Sequence, residues 1–185
     1  GNNSTTNVNT WISVTSPSIG KTITNIWYSV AGNAATFLQL SDGTIWACGY
    51  NGTGALGIGN TTSPQKTFVQ VTSLSGLVVT DIKTGGYYFD GSSGSAQNWS
   101  IALTNTGTIY TTGWQSEGSL GNGSTSGSAQ TSFSLVSLTK TVKSTYHFGW
   151  DCFVWFTDNT YACWGYNAWG DLGLGNTTKQ SSPVY

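Results

Sequence analysis

The stretch Gly49-Tyr50-Asn51-Gly52-Thr53-Gly54-Ala55-Leu56-Gly57-Ile58-Gly59-Asn60-Thr61-Thr62 decides the fold, because the chain uses its pattern three times. It returns as Gly113-Trp114-Gln115-Ser116-Glu117-Gly118-Ser119-Leu120-Gly121-Asn122-Gly123-Ser124-Thr125-Ser126. It returns again as Gly165-Tyr166-Asn167-Ala168-Trp169-Gly170-Asp171-Leu172-Gly173-Leu174-Gly175-Asn176-Thr177-Thr178. An ungapped motif of this kind is an internal repeat, and each copy closes one supersecondary unit. The glycines supply positive φ and close backbone approach; Gly49, Gly57, Gly113, Gly121, Gly165 and Gly173 mark the frame. Leu56, Leu120 and Leu172 stand alone among them, which predicts that each plugs its loop into a core. The aromatics Tyr50, Trp114 and Tyr166 add larger burial. Asn and Thr side chains are suited to satisfying turn backbone groups. No Lys-Ser/Thr and no helix follows, so the glycines are not a phosphate cradle.

Working outward, a hairpin precedes each loop. The pairs are Thr36–Leu40 with Thr44–Cys48 about Asp42-Gly43, and Trp99–Leu103 with Thr108–Thr112 about Gly107. The third is Cys152–Phe156 with Thr160–Trp164 about Asp158-Asn159. A β-branched and aromatic run comes before each hairpin, at Thr22–Ser29, Leu77–Lys83 and Thr141–Tyr146. A shorter run comes before that, at Trp11–Val14, Phe68–Val71 and Phe133–Val136, and reads as the first strand of each round. Caps followed by 3.6-residue periodicity are missing. The expected fold is all-β, with three four-stranded sheets. Residues 1–10 read as a polar tail or linker, and 11–185 as the repeat domain. Its rounds are 11–67, 68–132 and 133–182, and Pro183-Val184-Tyr185 would begin a fourth.

At Asp42-Gly43, Gly49-Tyr50-Asn51, Gly54 and Leu56 to Thr62 the sequence resembles the RCC1-type repeat, a module of about 50 residues that builds β-propellers. Trp164 to Asn167 and Gly170 to Gly175 match in the same way. The resemblance implies propeller blades forming an open arc, or part of a larger propeller or assembly, because three rounds do not fill the family's ring. Uncovered end faces then call for further repeats or neighbouring subunits. The family's founding member acts on a small GTPase and chromatin. The resemblance therefore admits a protein-interaction scaffold, as a GTPase regulator or an inhibitor of a secreted enzyme.

Composition points elsewhere. Only 7% of residues are charged and the net charge is -1, which gives no footprint for nucleic acid or anionic membranes. The 14% aromatic content argues against disorder. No apolar run reaches the roughly 18 residues of a membrane helix. A polar complement of neutral amides and hydroxyls suggests an extracellular protein, such as a phage tail fibre, virion surface protein or microbial adhesin. That reading expects receptor or host-glycan binding and protein subunits as partners. Asn2, Asn3, Asn51, Asn60, Asn98, Asn122 and Asn176 have the glycan-acceptor spacing. Contact candidates are Tyr87, Tyr88 and Phe89 in an insertion before the second hairpin, Trp114 and Trp169 in the repeat loops, and His147 and Trp150 in an aromatic loop. Trp169 suits stacking on a sugar or an interface hot spot.

A catalytic reading needs convergent titratable groups. The chain has one histidine, His147, and a lone glutamate, Glu117. No His/Cys/Asp set has metal-ligand spacing. The reading is of a non-enzyme with no cofactor and no metal. Cys48, Cys152 and Cys163 are expected as buried free thiols, with Cys163 opposite Val154 and Cys152 opposite Gly165 in a tight hairpin.

Overall fold

The computed structural model describes residues 3–6, 17–18, 20–29, 34–87 and 97–185. Among these the chain is all-β apart from one 3-10 turn at Thr72–Leu74. Three antiparallel four-stranded sheets follow one another in sequence order. The first contains β1 (Ile23–Tyr28), β2 (Ala35–Leu40), β3 (Ile45–Gly49) and β4 (Gln65–Gln70). The second contains β5 (Val79–Tyr87), β6 (Gln97–Thr104), β7 (Ile109–Gly113) and β8 (Gln130–Leu135). The third contains β9 (Val142–Phe148), β10 (Asp151–Phe156), β11 (Tyr161–Gly165) and β12 (Gln180–Val184). Strands β1, β5 and β9 touch in succession and line one side of the stack.

The strand phase differs from the sequence reading. Residues 68–70 belong to β4, which pairs with β3 through Ala47↔Val69 and Gly49↔Gln65. Phe133 likewise lies in β8, beside β7. Pro183 and Val184 lie in β12, where Val184 pairs with Cys163, so they close the third sheet rather than open a fourth. Each repeat loop therefore joins the third strand of a sheet to its fourth. The pairing requires this: a loop leaving Gly49 hands the chain back to the free edge of the strand it left. Trp11–Val14, read as a further strand, lies outside the described residues.

The hairpin turns are three residues long. Leu40 and Phe156 donate N–H to the carbonyls of Thr44 and Thr160, with Gly43 and Asn159 left-handed at φ 82° and 67°. This is the three-residue hairpin with a closing left-handed residue. Asp42 and Asp158 brace it by accepting from the following Thr44 and Thr160 N–H groups, at 3.1 and 3.0 Å. The extra turn residue moves the third hairpin by one, so Cys152 faces Trp164 and Cys163 faces Phe153. The two thiols then point to opposite faces of the sheet, and all three cysteines are free and buried.

Two apolar cores lie between the sheets rather than within any one of them. Phe37, Ile45, Leu56 and Val71 of the first sheet meet Ile82, Ala102 and Phe133 of the second. Ile101, Leu103, Ile109 and Leu120 of the second meet Val154, Phe156, Ala162 and Trp164 of the third. Leu56 and Leu120 are fully buried and Leu172 is 1% exposed. Leu120→Ala, which empties a site between two sheets, is expected to cost about 2–5 kcal/mol. The check is a lower denaturant midpoint at unchanged m-value; a midpoint close to that of the parent would show that the loop is not plugged.

Candidate functional site

The three repeat loops and the β9–β10 connection emerge at the same end of the sheets, since every sheet is an antiparallel meander. They build one rim. Each loop is stapled by a buried amide. Asn51 Nδ2 donates to Asn60 O at 2.9 Å, and Asn51 Oδ1 accepts from Leu56 N at 3.1 Å. Asn167 does the same with Asn176 O and Leu172 N, both at 3.1 Å. Gln115 bonds Ser126 and Ser128 instead, at 2.8 Å each. A buried amide satisfied on both sides fixes loop shape at a modest net gain, and leaving it unpaired is expensive.

The best-defined polar and aromatic cluster on this rim joins the second and third loops. Lys179 pairs with Glu117 at 2.7 Å and donates to Ser116 O at 2.9 Å. The same ammonium lies 5.7 Å from the Tyr166 ring centroid. Trp150 packs edge-on against Tyr166 at 5.2 Å. Behind them Asp151 is buried, and one of its carboxylate oxygens accepts from Asn167 N at 3.0 Å. Burial and the neighbouring Asp171 carboxyl push Asp151 up to about 6.

The sequence-chosen residues are spread along the rim. His147 is half-buried and engaged: its Nε2 lies 2.7 Å from Thr84 O, and its ring packs edge-on to Trp99 at 5.6 Å. Burial lowers its pKa, so the ring is held as a neutral packing group between the second and third sheets. Trp99 Nε1 reaches over to Gly149 O at 3.0 Å. Trp114 is half-buried in the second loop, and Trp169 is 87% exposed at the tip of the third. Tyr88 and Phe89 lie outside the described residues; Tyr87 ends β5, its backbone paired with Gln97. The acceptor-spaced Asn51 and Asn98 are buried, at 0% and 3% exposure, which removes them as glycan sites in the folded chain. Glu117, Lys179 and Tyr166 were not among the sequence-chosen contacts. Pairing of Glu117 with Lys179 spans 62 positions in sequence, so only the packing of one sheet on the next could reveal it. Among the described residues there is no group of three or more His, Cys, Asp or Glu that could hold a metal.

The regulator of chromosome condensation (RCC1) repeat model matches residues 42–89. That stretch is similar to an RCC1 repeat. The ultraviolet-B receptor UVR8 of Arabidopsis thaliana is 28% identical over 158 residues, covering 83% of this chain and 32% of that protein. A structure of Prp20p from Saccharomyces cerevisiae, studied for binding to Gsp1p and histones, superposes with a TM-score of 0.68 at 14% identity. It covers 85% of this chain and 37% of that one. Yeast RCC1 (Prp20) bound to Kap60 superposes at 0.69 with 14% identity, over 85% and 36% of the two chains. Human WBSCR16 superposes at 0.68 with 15% identity, over 90% and 38%. The chain thus spans about a third of the length of these proteins, and the structural matches establish RCC1-type propeller blades as the fold. They overturn the phage-fibre and adhesin reading: the similar proteins are a receptor and proteins with protein partners, and nothing ties the chain to a virion or to a host glycan.

Asp151 generates a pH prediction. A carboxyl whose folded pKa is about 6, against 3.8 normally, holds its proton in the folded state across that window. The folded state then binds more protons than the unfolded one, so stability falls as pH rises from about 4 to 6. Asp151→Asn keeps an oxygen to accept from Asn167 N and should flatten that fall. Chemical denaturation at pH 4, 5, 6 and 7 checks this; an unchanged slope in the variant would assign the fall to another group.

Proposed function

We propose that this chain is part of a non-catalytic protein-interaction scaffold of the RCC1 type, and that its binding face is the loop rim. The observation that carries this is the Trp150–Tyr166–Lys179–Glu117 cluster, an aromatic and charged patch held in place by bonds between two sheets. Rigid aromatic side chains beside a paired cation resemble the anchors that dominate protein interfaces. Preorganisation lowers the entropy cost of binding. The lone histidine is consumed in packing, and Glu117 is paired to Lys179, so neither is placed as an acid–base pair with an open substrate site. The partners named for the yeast relative, Gsp1p and histones, are protein partners, which agrees with the class of ligand proposed here.

A photo-crosslinking residue in place of Tyr166, introduced in the protein as its cells make it, tests the proposal. Discrete protein adducts are expected, and the captured protein should bind the purified chain directly. Lys179→Glu should weaken that binding roughly tenfold, as for loss of an interface anchor worth about 1.4 kcal/mol. Adducts to carbohydrate alone, or a bound protein indifferent to Lys179→Glu, would refute the rim as a protein-binding face.

A further inference from the structure

The two interfaces between sheets differ at one place on their outer side, where the fourth strands lie. At the first, the chain leaves β4 through the 3-10 turn Thr72–Leu74. Leu74 is 2% exposed and belongs to the first core. Ser73 joins the two sheets. Its hydroxyl donates to Gly57 O of the first loop at 3.3 Å and accepts from Phe133 N of β8 at 3.1 Å.

The second interface lacks this bridge. Val71 and Val136 are equivalent, since they donate N–H to Ile45 O and Ile109 O, at the starts of β3 and β7. Val79 and Val142 are equivalent as the first residues of β5 and β9. The run from Val136 to Val142 is two residues shorter than that from Val71 to Val79. Leu138 packs on the second core as Leu74 packs on the first. Only Ser137 separates it from Val136, whereas Thr72 and Ser73 separate Leu74 from Val71. Ser137 is exposed, and the place of Ser73 is left without a residue. The donor on the other sheet is gone as well. Pro183 holds the register position of Phe133, and a proline has no N–H.

A recess of about 400 Å³ opens there, a size in the range of ligand sites. Gly121, the counterpart of Gly57, lines it with Leu135, Ser137, Ser182, Pro183 and Tyr185. Leu135 and Tyr185 are 53% and 56% exposed. Tyr185 is nevertheless a fixed wall. Its hydroxyl accepts from Thr139 N at 3.0 Å, and its ring stacks on Phe156 with centroids 5.8 Å apart. Fixing a wall in advance lowers the entropy cost of binding. None of the lining side chains is charged, so a charged ligand group would lose hydration without gaining a partner.

We propose that this recess binds a neutral, hydroxyl-bearing peptide turn of a protein partner. A serine or threonine of the turn donates to Gly121 O, as Ser73 donates to Gly57 O, and an adjacent apolar side chain rests on Leu135, Pro183 and Tyr185. The molecule carries the pattern for this ligand in its own 3-10 turn, which fills the equivalent place at the first interface. No lining residue belongs to the Trp150–Tyr166–Lys179–Glu117 cluster, so the recess is a second and separate site.

The probe is the end-blocked peptide of residues 71–77, Val-Thr-Ser-Leu-Ser-Gly-Leu, which is uncharged. Titrated into the isotope-labelled 185-residue chain, it should shift the amide signals of Gly121, Gly123 and Ser182 saturably, with a Kd on the order of 1 mM for so few contacts. The same peptide with Ser73→Ala should bind roughly fivefold more weakly, as for the loss of one hydrogen bond. Leu135→Asp in the chain should abolish the shifts, and its melting temperature should stay nearly unchanged because Leu135 is half exposed. Lys179→Glu should leave the shifts in place, which separates this site from the rim. Absence of saturable shifts at millimolar peptide overturns the proposal, as do equal binding of the Ser73→Ala peptide and shifts that survive Leu135→Asp. Shifts confined to Trp150 and Tyr166 also overturn it, by giving the peptide to the rim.

Discussion

Everything in this structure depends on a loop of one sheet being inserted into the next. The first loop makes the point. Its carbonyls at Gly54 and Ala55 accept from Thr112 Oγ1 and Ser100 Oγ of the second sheet, at 3.0 and 2.7 Å. Thr53 Oγ1 returns a bond to Asn98 O at 2.8 Å. The second loop uses the Trp164 indole N–H, which donates to Ser119 O at 2.9 Å. A four-stranded sheet with one uncovered face is marginal alone. Here the first and second loops each supply both an apolar plug and polar partners to the following sheet, so stability is a nearest-neighbour property, as in other repeat arrays. The inward Leu and the stapling amide are two halves of one device: the amide holds the turn shape that lets the leucine point into the gap.

The sequence carried the fold class, the sheet count and the loop plugs, because a repeat multiplies every weak local signal. It did not carry the phase. Phe68–Val71 has the same β-branched and aromatic character whether it opens a sheet or closes one. Only the pairing of Val69 with Ala47 decides, and that contact crosses a loop. The hairpin register failed for a smaller reason. Asp42-Gly43 and Asp158-Asn159 suit both two- and three-residue turns, and the left-handed residue at the third position fits the longer form. One residue then sends Cys152 and Cys163 to opposite faces.

The candidate site was less legible, since exposure of an aromatic has two causes that sequence cannot separate. Trp150 sits on the rim, packed on Tyr166 and fixed by neighbours. Trp169 lies in an equivalent loop, yet its counterparts Thr53 and Glu117 spend their side chains on the following sheet. Its exposure belongs to the end of the stack. His147 shows the converse: a lone histidine among aromatics reads as a contact group, but the Thr84 carbonyl and Trp99 ring occupy it.

The neutral composition was misread for a related reason. Abundant Ser, Thr and Asn with few charges suggests a particular kind of surface, but many of these residues are not on the surface. Asn51, Asn98, Asn167, Ser100, Ser119, Thr53, Thr111 and Thr112 are all buried. Asn51, Asn167 and Thr111 satisfy their own loop's backbone, and Thr53, Asn98, Ser100, Thr112 and Ser119 contribute bonds across the gap between sheets, where loop backbone must be hydrogen-bonded and water is excluded. A charged group there would carry a desolvation penalty that a single partner rarely offsets. A hydroxyl or amide meets the same carbonyls at far lower cost. The low charge of this chain therefore records in part how its sheets are joined.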